Sequence, residues 1–144
     1  MKVKTSELSG DALDWAVASL EQEHDGRLTI VRREDHVGQP VVRETEPGSY
    51  TYEWWAPSRI WAQGGPIIER EAINVGTQRN EPGFRPHPDR MWHAHMDTRV
   101  YVGYGPTPLI AAMRCYVASR MGDTIEVPDA LVTKSTTHVS TKEQ

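Results

Sequence analysis

The sequence has little cysteine, no excess of positive charge and no long apolar run. Its only cysteine, Cys115, cannot form an internal disulfide or a zinc ribbon, which fits a reducing compartment. Sixteen basic residues against twenty acidic residues give a formal net charge of −4, whereas non-specific phosphate binding requires basic excess. We therefore expect no nucleic-acid partner. No apolar stretch approaches the roughly 20 residues of a membrane span, and residues 1–9 are too polar for a signal peptide, so we expect a cytoplasmic protein without a membrane partner.

Catalytic motifs are also missing from the sequence. No serine lies in a Gly-x-Ser-x-Gly turn, and the central glycine pair matches neither a Walker motif nor a dinucleotide fingerprint. Cys115 falls within a predicted helix rather than at its N-terminus, so a packing role is the better interpretation. His93, His95 and Asp97 would share one face of a strand, but such a pattern more often marks a solvent face than a metal site. We expect no catalysis, no metal and no cofactor; a metal-dependent hydrolase is the minor alternative.

Two segments carry helix signals. Ser9 is a good N-cap for a helix over residues 10–22, whose apolar residues recur at spacings of four and three. Thr107, followed by Pro108 at the first helical position, caps a second helix. Gly122 is the residue that ends it.

Strand signals occur in five places. Residues 28–32 alternate in polarity, a short strand is expected around residues 41–42, and residues 50–55 are aromatic and β-prone. The aliphatic residues of 67–75 indicate one strand, or two separated by a bend. Residues 91–96 return to a strand pattern.

These elements predict a single α+β domain over residues 1–132. We expect a small antiparallel sheet of about four to six strands, with the two helices packed on one face. Residues 79–90 are rich in proline and lack apolar periodicity, which predicts a mobile loop, and residues 133–144 form a polar C-terminal tail. Neither the strand order nor the role of residues 25–58 follows from the sequence.

Three blocks of the sequence resemble the small bacteriophage proteins called NinX. They read MKVKTSELSGDALDWAVA at the start, WAQGGPIIERE in the centre and GPTPLIAAMRCYVASRMGD near the end. The resemblance implies a phage accessory protein in the cytoplasm of the infected bacterial host, from a family without an established activity. It supplies no catalytic residues, and it does not extend to the long stretch at residues 25–58 or to the proline-rich loop.

The central block is interpreted as a glycine loop that leads into a strand. Its glycine pair would let a ligand approach the main chain, while an indole, an amide and a guanidinium offer stacking, hydrogen bonds and positive charge. The N-terminus of the second helix is another candidate anion site. Two well-formed connections without a ligand are the alternative interpretation. The candidate ligand-binding residues are Trp61, Gln63, Gly64, Gly65, Pro66, Glu69, Arg70, Gly105, Thr107 and Arg114.

Arg114 is predicted to lie at the edge of the second helix's apolar stripe and to be partly buried. Either its stem covers the core while its head reaches water, or its guanidinium meets Glu69 beneath the glycine loop. Trp54, Trp55 and Trp61 exceed what a small sheet needs, so they either cap the sheet, stack on a planar ligand or anchor a protein interface.

The leading functional hypothesis is a phage accessory protein that binds rather than catalyses and sequesters a small nucleotide-like signal of host defence. The alternative is a protein-interaction module that binds and modulates a host or phage protein through exposed tryptophans. Partners left open by the sequence are thus a small anionic or nucleotide-like ligand, a host or phage protein, and a second copy of the chain. The ligand's identity and the host pathway do not follow from the residues.

Overall fold

The computed structural model describes residues 1–30, 39–78, 82–96 and 101–131. The strands in these ranges are β1 (Lys2–Lys4), β2 (Leu28–Ile30), β3 (Gln39–Glu46), β4 (Ser49–Trp55), β5 (Asn74–Thr77), β6 (Trp92–His95), β7 (Val102–Gly105) and β8 (Thr124–Glu126). The α-helices are α1 (Gly10–His24), α2 (Trp61–Glu71) and α3 (Pro108–Met121). Two 3₁₀ turns occupy Thr5–Glu7 and Pro88–Arg90, and residues 129–131 are helical as well.

The described strands form three antiparallel sheets. One pairs β1 with β8, the second has the order β2-β3-β4, and the third has the order β5-β6-β7. The predicted α+β class and antiparallel pairing are confirmed. The strands are divided among three small sheets instead of one, and α2 lies between the second and the third of these sheets along the chain.

Helix α3 lies at the centre of the molecule. It packs against α1, α2, the first 3₁₀ turn and the strands β5, β6 and β7, and every residue from 111 to 118 is buried. Gly103 permits the closest of these contacts, because a Cβ at that position would lie 2.1 Å from the carbonyl oxygen of Ala111. The caps predicted for α3 are confirmed: the Thr107 hydroxyl accepts from the Ile110 N–H at 3.2 Å, and Gly122 ends the helix with a φ of +88°.

The glycine loop predicted for the central block is wrong, since Trp61–Glu71 forms α2. Neither glycine of the pair has a positive φ. Gly64 instead allows close packing, because a Cβ there would lie 2.4 Å from the Pro57 carbonyl oxygen and 2.6 Å from Leu109 Cδ2. Tertiary contacts therefore override the low helix propensity of Gly-Gly-Pro. The strand expected over residues 67–75 is accordingly confined to β5, after Ala72 ends the helix with a φ of +53°.

Other predicted bounds are closer. Helix α1 runs two residues beyond the predicted end, and β3 is longer than the short strand expected around residues 41–42. Residues 79–81 of the predicted loop and the whole predicted tail lie outside the described residues. No helix in the described ranges is long and apolar enough to cross a membrane.

Candidate functional site

The predicted ligand-binding residues on α2 are partly committed to internal contacts. The Gln63 side chain accepts a hydrogen bond from the Ala56 N–H at 2.7 Å and donates to the Trp54 carbonyl and to Glu53. It therefore fastens the start of α2 to the end of β4. Trp61, by contrast, is 57% exposed at the helix start.

The two regions expected to share a ligand do meet, but as packed surfaces. Gly64 on α2 lies against Leu109 in the first turn of α3. Gly105 lies beneath the same turn, where a Cβ would be 2.9 Å from the Ala111 nitrogen. The hydroxyl of Thr107 is used in capping α3. Ligand binding by these residues stays a prediction.

Arg70 is the centre of a charged network that joins the three helices. Its Nη2 and Nη1 donate to the two carboxylate oxygens of Glu21 at 2.6 and 3.0 Å, and its Nε donates to Glu71 at 2.8 Å. The Tyr116 hydroxyl also donates to Glu21, at 3.0 Å, while Arg120 donates to Glu71. Glu21, Glu71 and Tyr116 thus belong to α1, α2 and α3, and the network holds these helices in register.

The pKa shifts in the network keep Arg70 and Glu71 charged and Tyr116 neutral. Hydrogen bonds to Glu21 raise the pKa of Arg70 above its already high ordinary value. Burial alone would raise the pKa of Glu71, but hydrogen bonds from Arg70 and Arg120 outweigh it and lower that pKa. Burial, together with the charge of Glu21, raises the pKa of Tyr116. No proton moves readily within such a set near neutral pH, so the arrangement suits structure better than acid–base chemistry.

A second buried carboxylate, Asp14, ties α1 to the segment before α2. It is fully buried, accepts from the Ser58 N–H at 2.9 Å and from Arg59 Nη2 at 2.9 Å. Burial raises the pKa of Asp14, while these hydrogen bonds oppose the rise. The sequence offered no signal for Asp14 or Glu21, because each partner lies more than forty residues away along the chain.

The structure corrects the prediction for Arg114. Its side chain is only 5% exposed, and it meets Asp89, not Glu69: Nη1 donates to Asp89 Oδ1 at 2.9 Å and to the Tyr104 carbonyl at 2.7 Å. Its Nε donates to the Leu8 carbonyl at 2.7 Å. The guanidinium is buried because the ends of three separate elements supply acceptors around it.

A cleft of about 390 Å³ borders Arg114, between the first 3₁₀ turn, β7, α3 and β8. We call it the Arg114 cleft. Its lining includes Lys4, Ser6, Tyr101, Val102, Arg114 and Asp123. Neither glycine of the α2 pair is among the lining residues, and a binding role for Arg114 stays a prediction.

The histidine pattern on β6 forms a pair of stacked rings. The ring centroids of His93 and His95 are 5.9 Å apart, with nearly parallel planes. Asp97, the third member of the predicted pattern, lies outside the described residues. Within the described ranges no group of three potential metal-ligating side chains comes together.

Three aromatic side chains project from one side of β4. Tyr50, Tyr52 and Trp54 are 61%, 69% and 53% exposed, and we call them the aromatic face. Val42 and Glu44 of β3 lie opposite Tyr52 and Tyr50 in the strand register and extend this face. The period of two along a strand places all of them on the same side of the sheet.

Strand β4 is also an edge of its sheet. The Glu44 N–H donates to the Arg27 carbonyl on the β2 side at 3.0 Å. Because backbone groups alternate between the two sides of a strand, the even-numbered residues of β4 point their N–H and C=O groups away from β3. Consistent with this, the Trp54 carbonyl accepts from Gln63 on the outer side. The two tyrosines therefore direct their backbone groups to the open edge.

Comparison with known families defines the class of the protein. Residues 4–120 match the family model described as bacteriophage P22 NinX, a span that runs from β1 through nearly all of α3. The chain belongs to this bacteriophage NinX family, which confirms the resemblance of the three sequence blocks. No curated protein matches the sequence.

Proposed function

We propose that the protein acts by binding rather than catalysis, and that the aromatic face docks a host or phage protein in the cytoplasm of the infected bacterium. The observation that carries this proposal is the alignment of three exposed aromatic side chains on one face of an edge strand. Tyrosine and tryptophan bury large areas at little entropic cost, and they dominate the energetics of protein interfaces.

The shape and charge of the aromatic face favour a protein over a small molecule. Small ligands are held in concave sites, whereas Tyr50, Tyr52 and Trp54 line the outer side of a three-stranded sheet. Glu44 lies beside them, and the chain as a whole is acidic. A partner surface that combines apolar groups with basic side chains would complement this face.

A non-catalytic role is supported by the way in which the buried carboxylates are used. Glu21 and Asp14 each accept from an arginine and from a second donor. A general base must instead be free to reach the proton of a substrate.

Sequestration of a small nucleotide-like signal of host defence is the second candidate. The glycine loop that motivated it is a helix, and what favours it now is the Arg114 cleft. The cleft is concave and has two basic side chains in its lining.

Affinity capture from infected cells tests the docking proposal. Wild-type protein, Tyr52→Ser and the control Ile60→Ser, which alters an exposed apolar residue outside the three sheets, would be compared, and any partner purified for calorimetry. Loss of one central aromatic anchor should weaken binding by about 30-fold, while the control binds as wild type. Equal affinities for wild type and Tyr52→Ser, or retention of no partner at all, would refute the proposal.

A further inference from the structure

We infer that the Arg114 cleft is a binding site for a small molecule that carries a phosphate monoester. The inference deepens the second candidate function and rests on it, but it does not depend on the aromatic face, because the two surfaces belong to different sheets. It rests on the unused donors of Arg114, on the polar side chains around the cleft and on the cleft's size.

Arg114 has a donor that the surrounding residues do not use. A guanidinium carries five N–H groups, and Nε and Nη1 are used by Leu8, Tyr104 and Asp89. Nη2 has no acceptor among the described residues. Among these residues Trp55 Nε1 is the only fully buried side-chain polar atom without a partner. Arg114 Nη2 has no partner either, so it is not fully buried and has access to open space. The cleft is the open space that Arg114 borders.

A phosphate group binds such a donor more strongly than water does, because its negative charge adds a Coulomb attraction to the hydrogen bond. Its oxygens accept from arginine in charge-assisted hydrogen bonds, which are roughly twice as strong as neutral ones. Because three hydrogen bonds already hold the Arg114 guanidinium in place, little side-chain entropy is lost when a ligand binds.

Further polar groups are held at the cleft by the strand pair β1–β8. Lys4 pairs with Thr124 in this register, and the Thr5 hydroxyl donates to the Gly122 carbonyl at 3.0 Å. These bonds hold the β1 strand and the 3₁₀ turn beside the cleft, and Lys4 and Ser6 are among its lining residues. Lys4 supplies a second positive charge and Ser6 a neutral donor, the combination that phosphate recognition uses.

The size of the cleft indicates a ligand larger than an inorganic ion. A volume of about 390 Å³ falls within the range of sites that hold small organic ligands. Tyr101 and Val102 provide an aromatic and an aliphatic wall, against which the organic part of a phosphate ester would pack. Asp123 also lines the cleft, and its carboxylate opposes anion binding by like-charge repulsion.

NMR titration of the full chain with adenosine monophosphate tests the inference, with adenosine and inorganic phosphate as separate probes. We expect saturable shifts of the Ser6, Val102 and Thr124 amides with the nucleotide, weaker shifts at the same amides with phosphate, and none with adenosine. The apparent affinity should fall as salt is added, because the recognition is electrostatic.

Two surface variants give opposite expectations. Lys4→Gln should weaken nucleotide binding by about fivefold, and Asp123→Asn should strengthen it by about twofold. Arg114→Lys keeps the charge but removes the Nη2 fork, so binding should be lost while the chain remains folded by circular dichroism. Should this variant unfold, Lys4→Gln and Asp123→Asn still test the inference.

Any one of the following results would overturn the inference. The first is an absence of saturable shifts up to about 10 mM nucleotide, far above the range of a specific site. The second is equal binding of adenosine and the nucleotide. The third is a set of shifts centred on the start of α3 or on Arg70 instead of the cleft, or an affinity that both surface variants leave unchanged.

Discussion

Alanine substitutions at the neighbouring glycines of α2 should have different effects on stability. A Cβ at position 64 would lie 2.4 Å from a backbone oxygen, which cannot move as the end of a side chain can. The nearest atom to a Cβ at position 65 is Trp61 Cε3, at an ordinary 3.9 Å. The pair Gly64→Ala and Gly65→Ala therefore separates a packing requirement from a conformational one.

The magnitudes follow from these contacts. Overpacking at Gly64 should cost about 2–3 kcal/mol of unfolding free energy, since α2 must move away from Pro57 and Leu109. At Gly65 the better helix propensity of alanine, up to about 1 kcal/mol, is offset by its clash with the following Pro66, so the net change should stay within about 0.5 kcal/mol. At roughly 3 °C per kcal/mol for a chain of this size, Gly64→Ala should melt about 6–9 °C below Gly65→Ala.

Urea unfolding followed by tryptophan fluorescence, with thermal melts by circular dichroism, measures both changes. Helix packing predicts that only Gly64→Ala is destabilised. A glycine turn with positive φ values would instead be strained by alanine at either position. Similar losses in the two variants would therefore refute the structure given for α2.

Three further outcomes are expected from the buried polar groups. Glu21→Ala removes an acceptor of Arg70 and Tyr116 and should lower the unfolding free energy in urea by about 2–3 kcal/mol, after allowance for the partial exposure of Arg70. The exposed control Glu69→Ala should change this free energy by less than about 0.5 kcal/mol. An equal loss in both variants would contradict the network. The folded pKa of Glu71 is lowered, so its contribution to the unfolding free energy is fully present above its unfolded pKa of about 4.3 and disappears as the pH falls through the lower folded pKa. Glu71→Gln should flatten the dependence of unfolding free energy on pH in this range. An unchanged slope would argue against a lowered pKa for Glu71. Burial raises the pKa of Cys115 to about 11, so a thiol reagent at pH 8 should label this residue only after unfolding, and rapid labelling of the native protein would contradict its burial.

Helix α3 and strand β6 could be predicted from the sequence because their signals are local. Thr107, Pro108 and Gly122 mark the ends of the helix within a few residues of one another. Helix α2 could not be predicted in this way, since Gly-Gly-Pro disfavours a helix and the contacts that compensate come from Pro57 and from Leu109.

The same distinction between local and long-range signals applies to the candidate surfaces. The density of tryptophans left open whether they cap the sheet or lie outside the core; Trp54 and Trp61 are exposed, whereas Trp55 is buried. That the aromatic face lies on an edge strand depends on strand order, which no local pattern records. The acceptors around Arg114 likewise cannot be predicted from a local pattern, because Leu8 lies 106 residues away in the chain.

The hydrogen bond from Gln63 to the Trp54 carbonyl limits how the edge of β4 can associate. A bare edge next to exposed aromatic side chains can template the addition of further strands and seed aggregation. At one end of β4, the Gln63 side chain donates a hydrogen bond to the outward-facing carbonyl of Trp54. At the other end, the strand begins directly after the turn from β3. The accessible stretch of backbone is thereby reduced to the neighbourhood of two tyrosines, too short to nucleate a stable intermolecular sheet. The proposed docking role of the aromatic face is therefore compatible with protection against strand-by-strand self-assembly.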